Sequence, residues 1–558
     1  MLGEPHTSGE VGDSGSDHRE TEWQFDVPER ETVGRWLDES GGAGGISVGR
    51  GQTLLLTDRY YDTADWRLWR AGYALRVRSR GKRSEATLKS LAEAGKDGTK
   101  RRREISEPLF SDGVESLKGS DGPVGRRLRA LAGGRKLEEL FEIRTRRIAY
   151  PLSGSAGADG DSSVAGSVVG ELAVDEAEIP VPGAEESVRV NRVEVEAGAE
   201  GPKRLRPFVS ELREACGLQP ASTSKFGAGL AARGLTPPGE PDFGSERVDA
   251  SLTLGEVAYA VMRRQFGRFL RHESGVRLGE DPEEVHDMRV ASRRLRAALQ
   301  AFEPALSEKA RRFEPELKHF AAVLGEVRDL DVQLERAGVW ISTAPEEERE
   351  PLRELRTALE AQRTAAREAM LAELDSRRYE RLVDTLSRML RLGPPRRNRL
   401  SGAPAVEGAP ELVRHAYRRV RKAGDRLGPD SAAEDYHRLR KRCKRLRYLV
   451  EFVEEVYGGP AGKLVKRLKP LQDVLGELQD AEVARYRLRR LATEPGETEI
   501  SHAAAFAIGG VAARQAAAAS ELREDFPGAY SGIKGKPWKR LDKAMRKMQK
   551  SPPGTRGE

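Results

Sequence analysis

Two stretches of this chain place cations at matched spacing: HDMRVASRRLR at 286–296 and HRLRKRCKRLR at 437–447. At about 100° per helical residue, His286, Arg289, Arg293 and Arg296 fall on one stripe, with Met288, Ala291, Leu295 and Leu299 roughly opposite. The second stretch puts His437, Arg440, Lys441, Lys444 and Arg447 in front and Leu439, Leu446, Leu449 and Val450 behind. Cations about one turn apart repel one another unless an extended anion neutralises them. Regularly spaced phosphates would do so, because Arg can hold their oxygens bidentately. His adds a donor whose charge is adjustable near neutral pH. Neither stretch interleaves Glu at i+4, which weighs against an ordinary solvated face. Asp329, Asp331, Asp480 and Glu482 are candidates to tether the basic helices from a neighbour, and Arg294 and Arg445 sit off the stripe.

Upstream, charge alternates along strand-like runs. In YALRVRSR, Arg76, Arg78 and Arg80 share a face opposite Leu75 and Val77. Glu20 and Glu22 share one in ETEWQF, as do Thr87 and Lys89 in EATLKS and Glu194 and Glu196 in RVEVEA. If these strands close into a barrel with apolar residues outward, the lumen holds both acids and bases. Such a lumen suits a polyanion bound with a metal. Carboxylates hold a hard divalent cation through oxygen, Arg and Lys take the remaining phosphate charge, and the metal can polarise a phosphoryl group for attack by water.

Different elements must position these two sets. The region from about 19 to 233 reads as short strands of period two, whereas from about 250 long Leu/Arg/Glu/Ala segments run with a helical period. The helical part is a repeat. His286 and His437 stand 151 residues apart, as do Lys318 and Lys469 and the segments LGEVRDLDV and LGELQDAEV. Two related helical bundles are therefore expected, over 250–392 and 411–545. The Gly-, Pro- and Ser-rich stretches 1–18, 153–170, 234–249 and 393–410 read as flexible tail, loop and linkers, and 546–558 as a closing tail. The fold class is multidomain α+β.

A chain of 558 residues is too long for one ordinary core. Its net charge of +7 comes from 96 basic and 89 acidic residues, so the placement of the cations says more than their sum. Cys216 and Cys443 lack metal-type spacing, which argues against a zinc site or disulfide framework and fits a reducing cytoplasm. The first residues carry no signal-peptide pattern, and AAAFAIGGVAA at 503–513 is too short to span a bilayer. A soluble, cytoplasmic protein is expected, with no membrane partner.

HDMRVASRRLRAAL, LGEVRDLDV, HRLRKRCKRLRYLVEF and LKPLQDVLGELQD resemble the CHAD family, the conserved histidine α-helical domain, over roughly 250–545. The resemblance implies two pseudo-symmetric four-helix bundles with a basic surface that binds inorganic polyphosphate. It places His286, Arg289, Arg293, Arg296, Lys318, His437, Arg440, Lys441, Lys444, Arg447 and Lys469 at the anion site, and it extends to association with polyphosphate granules. YYDTADWRLWRAGYALRVRSRG, EATLK, RREISEPL, ELAVDE, RVEVE and SKFGAGL are similar to the CYTH family, the triphosphate tunnel metalloenzymes, over about 19–233. That likeness implies an eight-stranded antiparallel tunnel for triphosphate-like groups, with Mg²⁺ or Mn²⁺ as cofactor. Glu20 and Glu22 match the first two acids of the family's Glu-x-Glu-x-Lys signature, as catalytic and metal-holding residues. Glu104, Asp175, Glu194 and Glu196 would join the metal-facing acids, and Arg76, Arg78, Lys89, Arg102, Arg146 and Lys225 would contact phosphates. Gln24 stands where the signature has Lys, supplying a donor without a charge.

The expected function is a divalent-metal-dependent hydrolase of triphosphate-type substrates whose helical part binds polyphosphate. The alternative is a polyphosphate-binding, granule-associated protein without turnover, which Gln24 keeps open. Nucleic-acid binding is disfavoured, because the basic helices lack aromatics at base-stacking spacing apart from Tyr448.

Overall fold

The computed structural model describes residues 16–27, 30–91, 97–110, 113–154, 167–198, 201–493 and 501–550. The chain divides into two compact units, Met1–Glu240 and Pro241–Glu558.

In the first unit, period-two alternation yields eight long antiparallel strands: β1 (Ser16–Asp26), β2 (Gln52–Thr63), β3 (Tyr73–Arg80), β4 (Arg83–Ser90), β5 (Thr99–Leu109), β6 (Leu137–Gly154), β7 (Val168–Ile179) and β8 (Val188–Ala197). They pair in the circuit β1-β5-β4-β3-β2-β6-β7-β8 and back to β1. Closure removes the sheet edges and divides every strand into a lumen face and an outer face. On β1, Glu20, Glu22 and Gln24 take the lumen side, while Trp23 and Phe25 pack outward with Val193 and Val195 of β8. The amphipathic helix Pro202–Ala215 covers them with Leu205, Phe208 and Leu212.

Part of the lumen departs from the all-polar expectation. Tyr60, Phe141 and Ile143 point inward and pack on Phe226 of helix α1 (Lys225–Ala232), which plugs that part of the barrel. Ser224 caps α1, accepting from the Gly227 amide at 3.0 Å. A Cβ at Gly229 would lie 2.1 Å from Phe141 Cε2, so glycine is what lets the helix seat. In YYDTADWRLWR, Asp62 is a structural clasp. Its carboxylate accepts from the Thr63, Leu68 and Trp69 amides at 2.7, 3.0 and 2.9 Å.

The second unit is helical. Its first half holds α2 (Leu254–Arg271), α3 (Pro282–Ala301), α4 (Phe313–Thr343), α5 (Glu346–Leu374) and α6 (Arg377–Leu392). The second holds α7 (Ala405–Gly424), α8 (Ala433–Phe452), α9 (Gly459–Thr493), α10 (His502–Ser531) and α11 (Lys536–Lys550). The repeat is visible in the element bounds: α2 and α7, and likewise α3 and α8, begin 151 residues apart. Met288, Ala291, Leu295, Leu439, Leu446, Leu449 and Val450 are buried in a core shared by both halves, so the expected apolar backs do pack inward.

The 393–410 stretch read as linker is largely built structure, whereas the expected 234–249 linker does hold the boundary between the two units, at Glu240 and Pro241. Residues 393–404 are tied down: the Leu254 and Gly255 amides donate to the Ala403 and Ser401 carbonyls at 2.8 and 2.9 Å, and Asn398 caps its own turn. Helix α7 already begins at Ala405, inside the stretch read as linker. In the 234–249 segment Phe243 is buried against Phe266. Strand β1 starts at Ser16, β6 and β7 take both ends of the 153–170 loop, and α11 runs past 545 to Lys550. Residues 1–15, 155–166 and 551–558 of the expected tails and loop lie outside the described residues.

Candidate functional sites

The tunnel site is built by register. Opposite Glu20, Glu22 and His18 of β1 stand Arg102, Lys100 and Glu104 of β5, so these side chains share the lumen. Across β4 and β5, Lys89 is the register partner of Glu104. The Lys89 ammonium pairs with Glu20 and lies 3.0 Å from Glu104 and 3.9 Å from Glu22. Arg102 reaches Glu22 at 2.7 Å, and Arg76 reaches Glu104 at 3.8 Å. Arg78 holds buried Asp58 bidentately at 2.7 and 2.8 Å. On the far wall Arg147 grips Asp175 at 2.8 and 2.7 Å and Glu194 at 2.6 Å, while Lys225 pairs with Asp175 and, at 3.0 Å, with Glu194.

Gln24 is fully engaged. Its Nε2 donates to Glu22 at 3.0 Å and to Glu194 at 3.3 Å, and its Oε1 accepts from Lys100 Nζ at 2.7 Å. Burial and the adjacent Arg102 depress the Lys100 ammonium to about 8. Burial also pushes the Glu20 carboxyl up to about 8, whereas Lys89 and Arg76 hold neighbouring Glu104 well below the usual carboxylate range.

The structure therefore gathers Glu20, Glu22, Gln24, Arg76, Arg78, Lys89, Arg102, Glu104, Glu194 and Lys225 on one lumen. It corrects one of the expected cations. Arg146 points outward and is exposed; Arg147 takes the inward position, because Phe141, Ile143 and Thr145 fix odd numbers as the lumen parity of β6. Asp175 lies on the same wall, paired with Arg147 and Lys225. Glu196 keeps the lumen parity of Glu194 but is solvent-exposed. Asp58 and Lys100 were missed. Alternation counted back from Arg102 would have found Lys100.

Among the described residues no three His, Cys, Asp or Glu side chains stand close enough to hold a metal ion as placed. The donor chemistry nevertheless fits a hard divalent cation. Glu20, Glu22 and Glu104 supply only carboxylate oxygens, and all three converge within 4 Å of one cationic centre, the Lys89 ammonium.

The second site is a basin of about 590 Å³ between the two helical halves. Its lining comes in pairs offset by 151 residues: His286 with His437, Arg289 with Arg440, Arg293 with Lys444, Asp329 with Asp480, and Arg336 with Arg487. The halves clasp each other reciprocally, Asp329 to Arg487 at 3.1 Å and Asp480 to Arg336 at 3.4 Å, as a two-fold contact requires. Among the described residues Arg293, Arg440, Lys441 and Lys444 have no acidic partner, although Asp329 does tether Arg289 at 3.3 Å. Arg293 Nε, Arg440 Nε and the Tyr448 hydroxyl are buried without a hydrogen-bond partner among those residues. Burial, then the charges of Arg293, Arg440 and Arg289, depress Lys444 to about 7, and burial likewise lowers His286 and His437.

Three expected members lie elsewhere. Lys318 and Lys469 are exposed and outside the lining, and Arg447 turns to Glu451 at 3.4 Å, an i+4 pair just past the basic stretch. Asp331 ties Arg363 and Glu482 ties Arg523, so neither tethers the basic helices. Off-stripe Arg445 joins the lining, and α4 and α9 add Arg328, Arg336 and Arg487. The 151-residue register of Arg336 and Arg487 was the signal for that last pair.

Both sites can be compared with known proteins. A CYTH domain model matches residues 19–228 and a CHAD domain model matches 260–489. Uncharacterized protein Rv2226 of Mycobacterium tuberculosis is 29% identical over 554 residues, covering 95% of this chain and 98% of that one. The crystal structure of the CHAD domain from the plant Ricinus communis is 29% identical with a TM-score of 0.44, over 53% of this chain and 96% of that one. A Hippeastrum protein whose structure is described as revealing a dominant triphosphatase activity is 18% identical, with a TM-score of 0.28 over 39% and 98%.

Proposed function

Since the chain carries a CYTH domain followed by a CHAD domain, we propose that it is a divalent-metal-dependent hydrolase of triphosphate-type substrates that also binds inorganic polyphosphate. The observation that carries the first half is the lumen itself. Six cationic side chains, Arg76, Arg78, Lys89, Arg102, Arg147 and Lys225, stand within one barrel against the carboxylates of Glu20, Glu22, Asp58, Glu104 and Glu194. The cations would take phosphate oxygens, and the α1 plug with Tyr60, Phe141 and Phe226 walls off bulk water on one side. Glu20, Glu22 and Glu104, with Glu194 and Glu196 beside them, would hold Mg²⁺ or Mn²⁺, which when bound supplies charge neutralisation and polarisation of the phosphoryl group.

The basin supports the second half. Among the described residues Arg293, Arg440 and Lys444 lie partly buried at a two-fold seam without an acidic partner, which is costly without an anion, and a chain of repeating phosphates meets both halves alike. Phosphate release from tripolyphosphate, thiamine triphosphate, ATP and long polyphosphate tests the proposal. Release is expected from at least one of them with Mg²⁺ or Mn²⁺, and Glu20→Ala/Glu22→Ala should abolish it. Release from none would favour the second reading, a polyphosphate-binding protein without turnover, which Gln24 motivates. A Gln24→Lys control reports what that position contributes.

A further inference from the structure

Lys100 is a buried ammonium, 4% exposed, on the lumen face of β5. Among the described residues it pairs with no carboxylate, and it donates to the neutral Oε1 of Gln24 at 2.7 Å. An ammonium can only donate, whereas a primary amide has a donor end and an acceptor end that could exchange places by a flip. Lys100 on one side and the Glu22 and Glu194 carboxylates on the other thus fix how Gln24 is oriented. With Oε1 turned to Lys100, Nε2 must face the lumen, where it meets Glu22 and Glu194. Gln24 lines the lumen cavity together with Arg76, Lys89, Arg102 and Lys225, while Lys100 stands behind it.

We propose that Lys100 is a positioning residue for the polyanion: through Gln24, whose amide it ties to the Glu22–Glu194 wall of the lumen, it lends a positive charge to the face that the triphosphate-type substrate meets. This rests on the hydrolase reading above and explains how the lumen manages with an uncharged side chain at position 24. Without Lys100 the Gln24 oxygen loses its donor and the amide its anchor on that side. The charge would also be lost from behind the Glu22–Glu194 wall. Removing an uncompensated buried cation costs the fold little, so the Met variant should stay folded.

The test is steady-state hydrolysis of tripolyphosphate by the full chain, paired with calorimetric binding of the same anion and a thermal unfolding scan. Lys100→Met should raise KM and weaken binding about tenfold, the size of one charge-assisted hydrogen bond, with kcat changed far less. Gln24→Met, which breaks the contact from its other end, should do the same. The transposed pair Gln24→Lys/Lys100→Gln should recover most of the loss, because it returns the charge to the lumen wall; a purely structural role for Lys100 predicts no such recovery. Wild-type KM and affinity in Lys100→Met, or a transposed pair no better than the single variants, would overturn the inference while leaving the hydrolase reading intact. A wild-type chain that neither binds nor cleaves tripolyphosphate would overturn both.

Discussion

Strand β6 carries Arg144, Arg146 and Arg147 within four positions, and only Arg147 enters the lumen. On β1 the apolar parity, Trp23 and Phe25, marks the outside because helices cover it. On β6 the apolar parity, Phe141 and Ile143, marks the inside because α1 fills that part of the barrel. Alternation was legible in both strands. Which face it pointed to was not, since that depends on a plug helix some 80 residues downstream. Arg147→Gln, breaking a buried bidentate pair, is expected to cost about 3 kcal/mol in unfolding free energy and to abolish tight binding of tripolyphosphate. Arg146→Gln should stay within about 0.5 kcal/mol of wild type in denaturant titration. Lys444 gives a pH signature. Its folded value, about 7, lies below the ordinary lysine value, so the unfolded chain binds the proton more tightly. Its penalty on stability is full below about pH 7 and is relieved as pH rises towards the ordinary value. Lys444→Met should therefore stabilise the chain more at pH 6 than at pH 9 in thermal melts. Polyphosphate binding at pH 8 should take up protons, read by calorimetry in buffers of differing ionisation enthalpy. The groups facing it are Arg289 and Arg293 from α3, Arg440 on its own helix and Asp480 from α9.

Whole elements were more legible than single side chains. The helical period and the 151-residue register located α3 and α8 and gave them apolar backs, and both backs are buried. What the projection of one helix could not show is the second wall of the basin. Arg336 and Arg487 reach it from α4 and α9, and they are positioned by acids on the opposite copy. Lys318 and Lys469 keep the repeat register yet remain on the surface, so shared register locates equivalent places without saying that they face the ligand. In the barrel the element that most constrains the site is α1, which carries both Lys225 and the plug. Gly229→Ala would press a methyl into Phe141. It is expected to lower stability by about 1–3 kcal/mol, measured by thermal unfolding, and to weaken anion binding by shifting Lys225 away from Asp175 and Glu194.

For the molecule as a whole, the change from period two to helical period correctly separated a closed barrel from a helical unit. Composition was a poorer guide to order. Pro- and Gly-rich stretches at 234–249 and 393–404 proved to be anchored by Phe243, Asn398 and Ser401, because a few well-placed side chains suffice to pin an irregular segment. No described helix is long and apolar enough to cross a membrane, and Cys216 and Cys443 are both free thiols. On the proposed reading, the barrel's acids and bases cleave phosphoanhydrides with a divalent cation. The most direct measurement is orthophosphate release from tripolyphosphate by the full chain, followed as Mg²⁺ or Mn²⁺ is titrated in and then removed with a chelator. Release is expected to appear with the cation, stop on chelation, and be absent throughout in Glu20→Ala/Glu22→Ala. Release that persists in that variant, or no release at any cation concentration, would contradict that reading.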